Sequence, residues 1–251
     1  MELIVDFTNL KIRAALSSMS DDTLRDDSRP YLREIDVCEL YAVIGLMYFR
    51  GLLGQNGRHV NHIFSERSGH PVFCGTMSRC CFSFLVSHLC FDNFETRPER
   101  LEKDRFAAFR KLFDLFLVEC SQHLTPSEYI SLDETLFPMR NQVSFKQYNP
   151  DKPAKYWWLF ISLNDAPFSY TYHSLVYAGK PKKLPSPFYI CGTESYIKEL
   201  VTSLEKFVSL QGRNISMDRL YTSIPIAKWL LERNITCVGT LQTRRICIPE
   251  E

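Results

Sequence analysis

The chain has 251 residues, with 30 Lys+Arg against 29 Asp+Glu and a formal net charge of +1. Hydrophobic residues make up 45% and aromatics 13%, enough for the core of one large domain or two modest ones, which excludes wholesale disorder. The charge balance excludes a globally basic nucleic-acid binder but leaves room for a local basic face. The opening Met1-Glu2-Leu3-Ile4-Val5-Asp6 lacks the basic n-region of a signal peptide. Asp21, Asp22, Asp26 and Asp27 mark an acidic stretch expected to be mobile. Val37, Leu40, Tyr41, Ile44, Met47 and Tyr48 then recur at helical spacing, stopped by Gly51 and Gly54. The longest apolar run, 40–49, is too short to span a bilayer, so the chain reads as soluble and intracellular, with no membrane partner. Cys81, Phe82, Leu85 and Leu89 predict a second helix. Phe106, Phe109, Leu112, Phe113, Phe116, Leu117 and Cys120 predict a third, after the charged linker Glu95-Thr96-Arg97-Pro98-Glu99-Arg100. The nine cysteines form no CxxC pair and read as small buried hydrophobes of a reducing compartment.

The character changes near Pro126, dividing the chain into 1–126, helical, and 127–251, mixed. Segments 129–137, 156–163 and 170–177 read as strands, the last ended by Gly179 and Pro181. Ile197, Leu200, Val201, Leu204, Phe207 and Val208 predict an amphipathic helix, and 214–217 a short strand. Ser223 starts another helix with Pro225 in its first turn, where proline is tolerated, and 235–241 is a final strand. The order βββαβαβ implies an α/β mixed sheet with helices on its faces. It matches the start of an RNase H-like domain.

Three features carry chemistry. In Ile130-Ser131-Leu132-Asp133-Glu134-Thr135, alternation puts Asp133 on the face opposite Ile130 and Leu132. A mid-strand carboxylate is disfavoured unless paired or metal-bound, so Asp133 reads either as a metal ligand or as a solvated residue of an edge strand. Asp218 follows the strand 214–217, where open α/β sheets place their ligand crevice. It reads either as a second ligand or as a loop residue that helps start the next helix. Two carboxylates brought together would hold Mg²⁺ or Mn²⁺ through hard oxygens. Third, Arg140, Lys146, Tyr148, Lys152, Lys155, Tyr156, Trp157 and Trp158 interleave cations with aromatics. That pattern suits a phosphate backbone with exposed bases, or else a solvated face of ordinary strands.

The run Ser131-Leu132-Asp133-Glu134, through Arg140, to Lys146-Gln147-Tyr148-Asn149-Pro150-Asp151-Lys152-Pro153-Ala154-Lys155 resembles the first catalytic block of the piggyBac transposase family. Met217-Asp218-Arg219-Leu220-Tyr221-Thr222-Ser223-Ile224-Pro225-Ile226-Ala227-Lys228, with Val238-Gly239-Thr240-Leu241 after it, resembles the second. Met77-Ser78-Arg79, Phe91-Asp92-Asn93 and the linker at 95–100 resemble the helical dimerisation and DNA-binding region that precedes the core. The resemblance implies a nuclear cut-and-paste DDD transposase, with an RNase H-like core that uses three aspartates and a divalent metal. It implies double-stranded DNA as partner, a possible homodimer and no small-molecule substrate. Residue by residue, Asp133 matches the first catalytic, metal-binding aspartate and Asp218 the second. Arg140, Lys146, Lys152 and Lys155 match basic, DNA-contacting positions.

The departures shape the expectation. The family's third aspartate lies beyond an inserted segment, whereas this chain ends at Ile248-Pro249-Glu250-Glu251, and the family's cysteine-rich zinc module is absent. Arg219 stands where many relatives carry Asn, and Asn141 and Gln142 where relatives carry Gly and a basic residue. The expectation is a transposase-derived DNA binder, truncated at both ends and inactive alone. The rivals are an active nuclease completed by a third carboxylate from a longer product or in trans, and an interaction module with no DNA function. His59, His62, His70 and Cys74 have a spacing that fits no common zinc motif and read as loop residues. Lys180-Pro181-Lys182-Lys183 is a weak nuclear-import signal.

Overall fold

A computed structural model describes residues 1–19, 29–139, 143–150 and 153–242. The acidic stretch at Asp21–Asp27 lies outside the described residues. The chain divides into two compact units, Met1–Pro98 and Glu99–Glu251.

Among its described residues the first unit holds helices α1 (Glu2–Leu16), α2 (Val37–Leu52), α3 (Val60–Ile63), α4 (Pro71–Thr76) and α5 (Arg79–His88). Helix α1 has no counterpart in the sequence reading; it buries Ile4, Val5, Thr8, Asn9 and Ile12. Asn9 acts as a backbone surrogate: its Nδ2 donates to the Ile35 carbonyl at 2.9 Å and its Oδ1 accepts from the Ile35 N–H at 2.8 Å. That pairing leads into α2, which opens on a reciprocal cap between Asp36 and Glu39. The stripe assigned to α2 needs correction. The helix buries Leu40, Val43 and Leu46, while Tyr41, Met47 and Tyr48 are exposed. Its sequence is apolar on nearly every side, so spacing alone fits two faces. The family-like motifs of this unit do structural work. Ser78 accepts from the Cys81 N–H and caps α5, and Arg97 clamps the buried Asp92 carboxylate through Nε and Nη2. The cap satisfies an N–H at the start of α5, and the clamp pairs a buried carboxylate.

After α6 (Arg97–Lys103), the second unit holds α7 (Ala107–His123), α8 (Thr193–Glu205) and α9 (Ile224–Leu231). Its strands are β1 (Tyr129–Pro138), β2 (Gln147–Tyr148), β3 (Tyr156–Asp165), β4 (Thr171–Val176), β5 (Asn214–Met217) and β6 (Thr236–Gly239). They form one mixed sheet in the order β2-β3-β1-β5-β6, with β4 also paired to β3. The β1–β3 and β3–β4 pairs are antiparallel, the expected meander, while β1–β5 and β5–β6 are parallel. Alternation sorts the two faces. Ile130, Leu132, Ile161, Leu163, Ile215 and Met217 pack with Ile197, Leu200, Val201 and Leu204 of α8 and with Ile226 and Leu230 of α9. The opposite face carries Phe160 and Val176 against Phe106, with Phe109 and Phe113 of α7. Trp158 belongs to this second cluster: its ring stacks on Phe145 at 5.8 Å. Helix α9 starts as expected, with Ser223 accepting from the Ile226 N–H at 3.3 Å and proline in the first turn.

The cysteine expectation also needs correction. Cys90 and Cys120 are buried, but Cys38, Cys74, Cys80 and Cys191 are exposed. They sit on helix faces and loops whose inward positions are taken by larger side chains.

Candidate functional site

Strand β1 lies between β3 and β5 and is not an edge strand, although its pairing with β5 ends at Leu132, one residue before the exposed Asp133. Its register against β5 pairs Ser131 with Ser216 and Leu132 with Met217. One step further on, Asp133 and Asp218 occupy neighbouring positions, at the carboxyl end where β5 stops. Both are exposed. The polar setting of Asp133 follows from its register on the other side, where it faces Ser162 of β3. The Ser162 hydroxyl pairs with Ser174 at 2.8 Å and accepts from Thr135 at 3.4 Å, so hydroxyls line this part of the face.

Each aspartate has one oxygen engaged by nearby backbone. Asp133 Oδ1 accepts from the Glu134 N–H at 2.7 Å. Asp218 Oδ1 accepts from Leu220 N–H at 2.8 Å and Tyr221 N–H at 3.2 Å, so Asp218 does also organise the loop toward α9. The loop is pinned from below. Thr222 Oγ1 donates to the Asp218 carbonyl at 2.7 Å, and a Cβ on Gly239 of β6 would lie 2.1 Å from that hydroxyl oxygen and 2.6 Å from the Met217 carbonyl. Only glycine permits β6 to approach this closely.

Two residues that sequence reasoning did not single out complete the arrangement. Glu134 alternates to the α8 face, and its Oε1 accepts from the Tyr221 hydroxyl at 2.9 Å. Burial, then the charges of Glu134, Asp218 and Asp133, push the Tyr221 phenol far above its ordinary range. The signal available in the sequence was a charged residue on the core-facing phase of β1, which needs a partner.

The donor set of Asp133 and Asp218 fits a hard divalent cation in kind, with oxygens oriented by backbone N–H groups. Glu134 faces the other way and is held by Tyr221. Among the described residues no group of three or more His, Cys, Asp or Glu is placed to hold a metal. His59 and His70 instead accept from the Asn61 and Val72 N–H groups as helix caps, and Cys74 donates to the Phe64 carbonyl.

Of the basic positions, Lys146 sets its Nζ 4.3 Å from the centroid of the Tyr156 ring, and Lys155 is exposed beside it. Tyr148 and Tyr156 are exposed and lie 5.3 Å apart. Arg140, Lys152, Asn141, Gln142, Glu250 and Glu251 lie outside the described residues.

The profile of the Transposase IS4 family matches residues 1–251. The chain belongs to that family, and within it to the piggyBac type. A cryo-EM structure of a piggyBac transposase synaptic complex with hairpin DNA is similar to it at a TM-score of 0.83 and 31% identity, covering 99% of this chain and 49% of that one. The chain thus spans about half the length of the transposase it matches. No described helix is long and apolar enough to cross a membrane.

Proposed function

We propose that this member of the transposase family is a DNA-binding protein in which Asp133 and Asp218 are the metal-binding carboxylates of an RNase H-like catalytic half. The observation that carries this is the β1–β5 register, which sets the two aspartates side by side at the carboxyl end of parallel strands. Mg²⁺ or Mn²⁺, when bound, supplies an activated water and charge neutralisation at a phosphodiester. Asp133 and Asp218 hold the cation, and their backbone-bonded oxygens keep both carboxylates aimed outward. Arg140, Lys146, Lys152 and Lys155 contact phosphates, and Lys146, seated on Tyr156, holds its charge at the end of β2. Residues 1–126 serve in dimerisation and DNA binding, and the protein works in the nucleus. With two carboxylates in the set, the 251-residue chain binds DNA without cutting it; cleavage needs a third carboxylate, from a longer product or a partner in trans.

Duplex binding measured across a salt series tests this reading. The affinity should fall steeply as salt rises. A folded chain with no salt-sensitive DNA binding rejects the proposal. Incubation of supercoiled DNA with Mg²⁺ tests the second part. The chain alone should leave it intact; nicking that disappears in both Asp133→Ala and Asp218→Ala would establish the active-enzyme reading instead.

A further inference from the structure

Loop 177–192, between β4 and α8, carries Lys180-Pro181-Lys182-Lys183, a run with no role at the carboxylates. Three bonds latch this loop to the end of α6. The Lys183 N–H donates to the Glu102 carbonyl at 2.9 Å, the Lys183 ammonium pairs with the Glu102 carboxylate, and Ser186 Oγ donates to the Lys103 carbonyl at 2.6 Å. Lys103 is the last residue of α6, so the hydroxyl serves a carbonyl at the negative end of the helix. The same oxygen accepts from the Phe188 N–H at 3.2 Å, and the Arg110 guanidinium lies 5.0 Å from the centroid of the Phe188 ring.

Ser186 is followed by Pro187. The chain has two such Ser/Thr-Pro steps, and their settings differ. At Thr125-Pro126 the proline is buried and both carbonyls are bonded, one to the Tyr172 hydroxyl and one to Arg213. At Ser186-Pro187 the proline is exposed, as are Lys182, Lys183, Leu184 and Pro185 before it, in a segment without helix or strand. An enzyme that modifies a hydroxyl seats a few residues of extended chain in its cleft. Proline favours that shape in the residue before it and removes one N–H that would need a partner.

We propose that Ser186 is a phosphorylation site for a proline-directed serine/threonine kinase, and that the phosphate releases the loop from α6. This stands apart from the DNA-binding reading. Ser186 Oγ attacks the γ-phosphorus of ATP, the bond from that phosphorus to the β–γ bridging oxygen breaks, ADP leaves, and the hydroxyl proton passes to the kinase. The product has no hydroxyl hydrogen to give the Lys103 carbonyl. It also sets about two negative charges against a helix C-terminus, which repels them.

The test incubates the folded full chain with ATP and a purified mitogen-activated protein kinase, maps the phosphate by peptide mass spectrometry, and follows with a brief trypsin digestion. Phosphate should appear on Ser186 and not on Thr125. The phosphorylated chain should be cut after Lys183 about fivefold faster than the unmodified one, the scale of one lost hydrogen bond. Ser186→Ala lacks the same bond, so it should take no phosphate in this loop and be cut faster without the kinase. A folded chain left unmodified at Ser186 overturns the site. Phosphorylation of Ser186 with an unchanged rate of cleavage overturns the release, and so does cleavage of Ser186→Ala at the wild-type rate.

Discussion

At the scale of single residues, the environment of the two aspartates depends on contacts that a linear reading does not reveal. Tyr221 ties the loop after Asp218 to β1 through its hydrogen bond to Glu134. Tyr221→Phe keeps the ring and removes that bond to a charged acceptor. Because Glu134 is exposed, the loss should be about 1 kcal/mol, read from urea unfolding at neutral pH. Gly239→Ala acts on the other side of the same loop. The new methyl would meet Thr222 Oγ1 at 2.1 Å and the Met217 carbonyl at 2.6 Å. The hydroxyl can turn away but the carbonyl belongs to β5, so the strands must separate locally, at a cost of about 1–3 kcal/mol. An unchanged denaturation midpoint in Gly239→Ala would contradict the close approach. Asp133 and Asp218 were legible because a carboxylate inside a strand and another at a strand end break local preference. Glu134 and Tyr221 were not, since their pairing exists only once β1 and β5 are in register. His59 and His70 were legible as non-ligands from their spacing, but not as helix caps, because the N–H groups they accept from are set only by the fold.

Among the elements, β1, β3, β5 and α8 were legible because each has one apolar phase. Ile130 and Leu132 are buried while Asp133 is exposed, and Leu200 and Leu204 of α8 are wholly buried. Helix α2 was legible as a helix, but its buried stripe was misassigned because its composition supports two stripes, and the two-residue β2 was invisible because it has no room for a period. Strand β4 carries a titratable consequence. Burial pulls the His173 imidazole from its ordinary 6.5 down to about 4; Lys206 pushes the same way and Glu199 opposes it. The folded value lies below the unfolded one, so the unfolded chain takes up the proton first. Stability is therefore full above about pH 6.5 and is lost as the pH falls toward 4, by on the order of 2 kcal/mol. Urea unfolding at pH 7 and pH 5 should show a smaller drop for His173→Gln than for the wild type. Equal drops would mean that the ring is protonated in the folded protein as readily as outside it. Packing on the other strands is probed by Leu200→Ala, which leaves a hole between α8 and the sheet and should cost about 2–5 kcal/mol.

For the whole molecule, the near-zero net charge matters less than where the cations sit. Lys146 and Lys155 flank the exposed Tyr148 and Tyr156 at one end of β2 and β3, whereas Lys198 of α8 sits near Trp229, 5.9 Å from its ring centroid. All three substitutions to alanine remove one positive charge, so a molecule that bound DNA through overall charge would respond alike to each. A molecule that binds through the β2–β3 surface responds by position. In the dependence of log K on log salt, each lysine that meets a phosphate contributes about 0.9 to the slope. Lys146→Ala and Lys155→Ala should therefore each flatten the slope by about 1 and weaken binding similarly across DNA sequences, because phosphates carry no sequence information. Lys198→Ala should leave the slope as it is. A uniform response among the three variants would argue against the proposed contact of Lys146 and Lys155 with phosphates and place any DNA contact away from the β2–β3 surface.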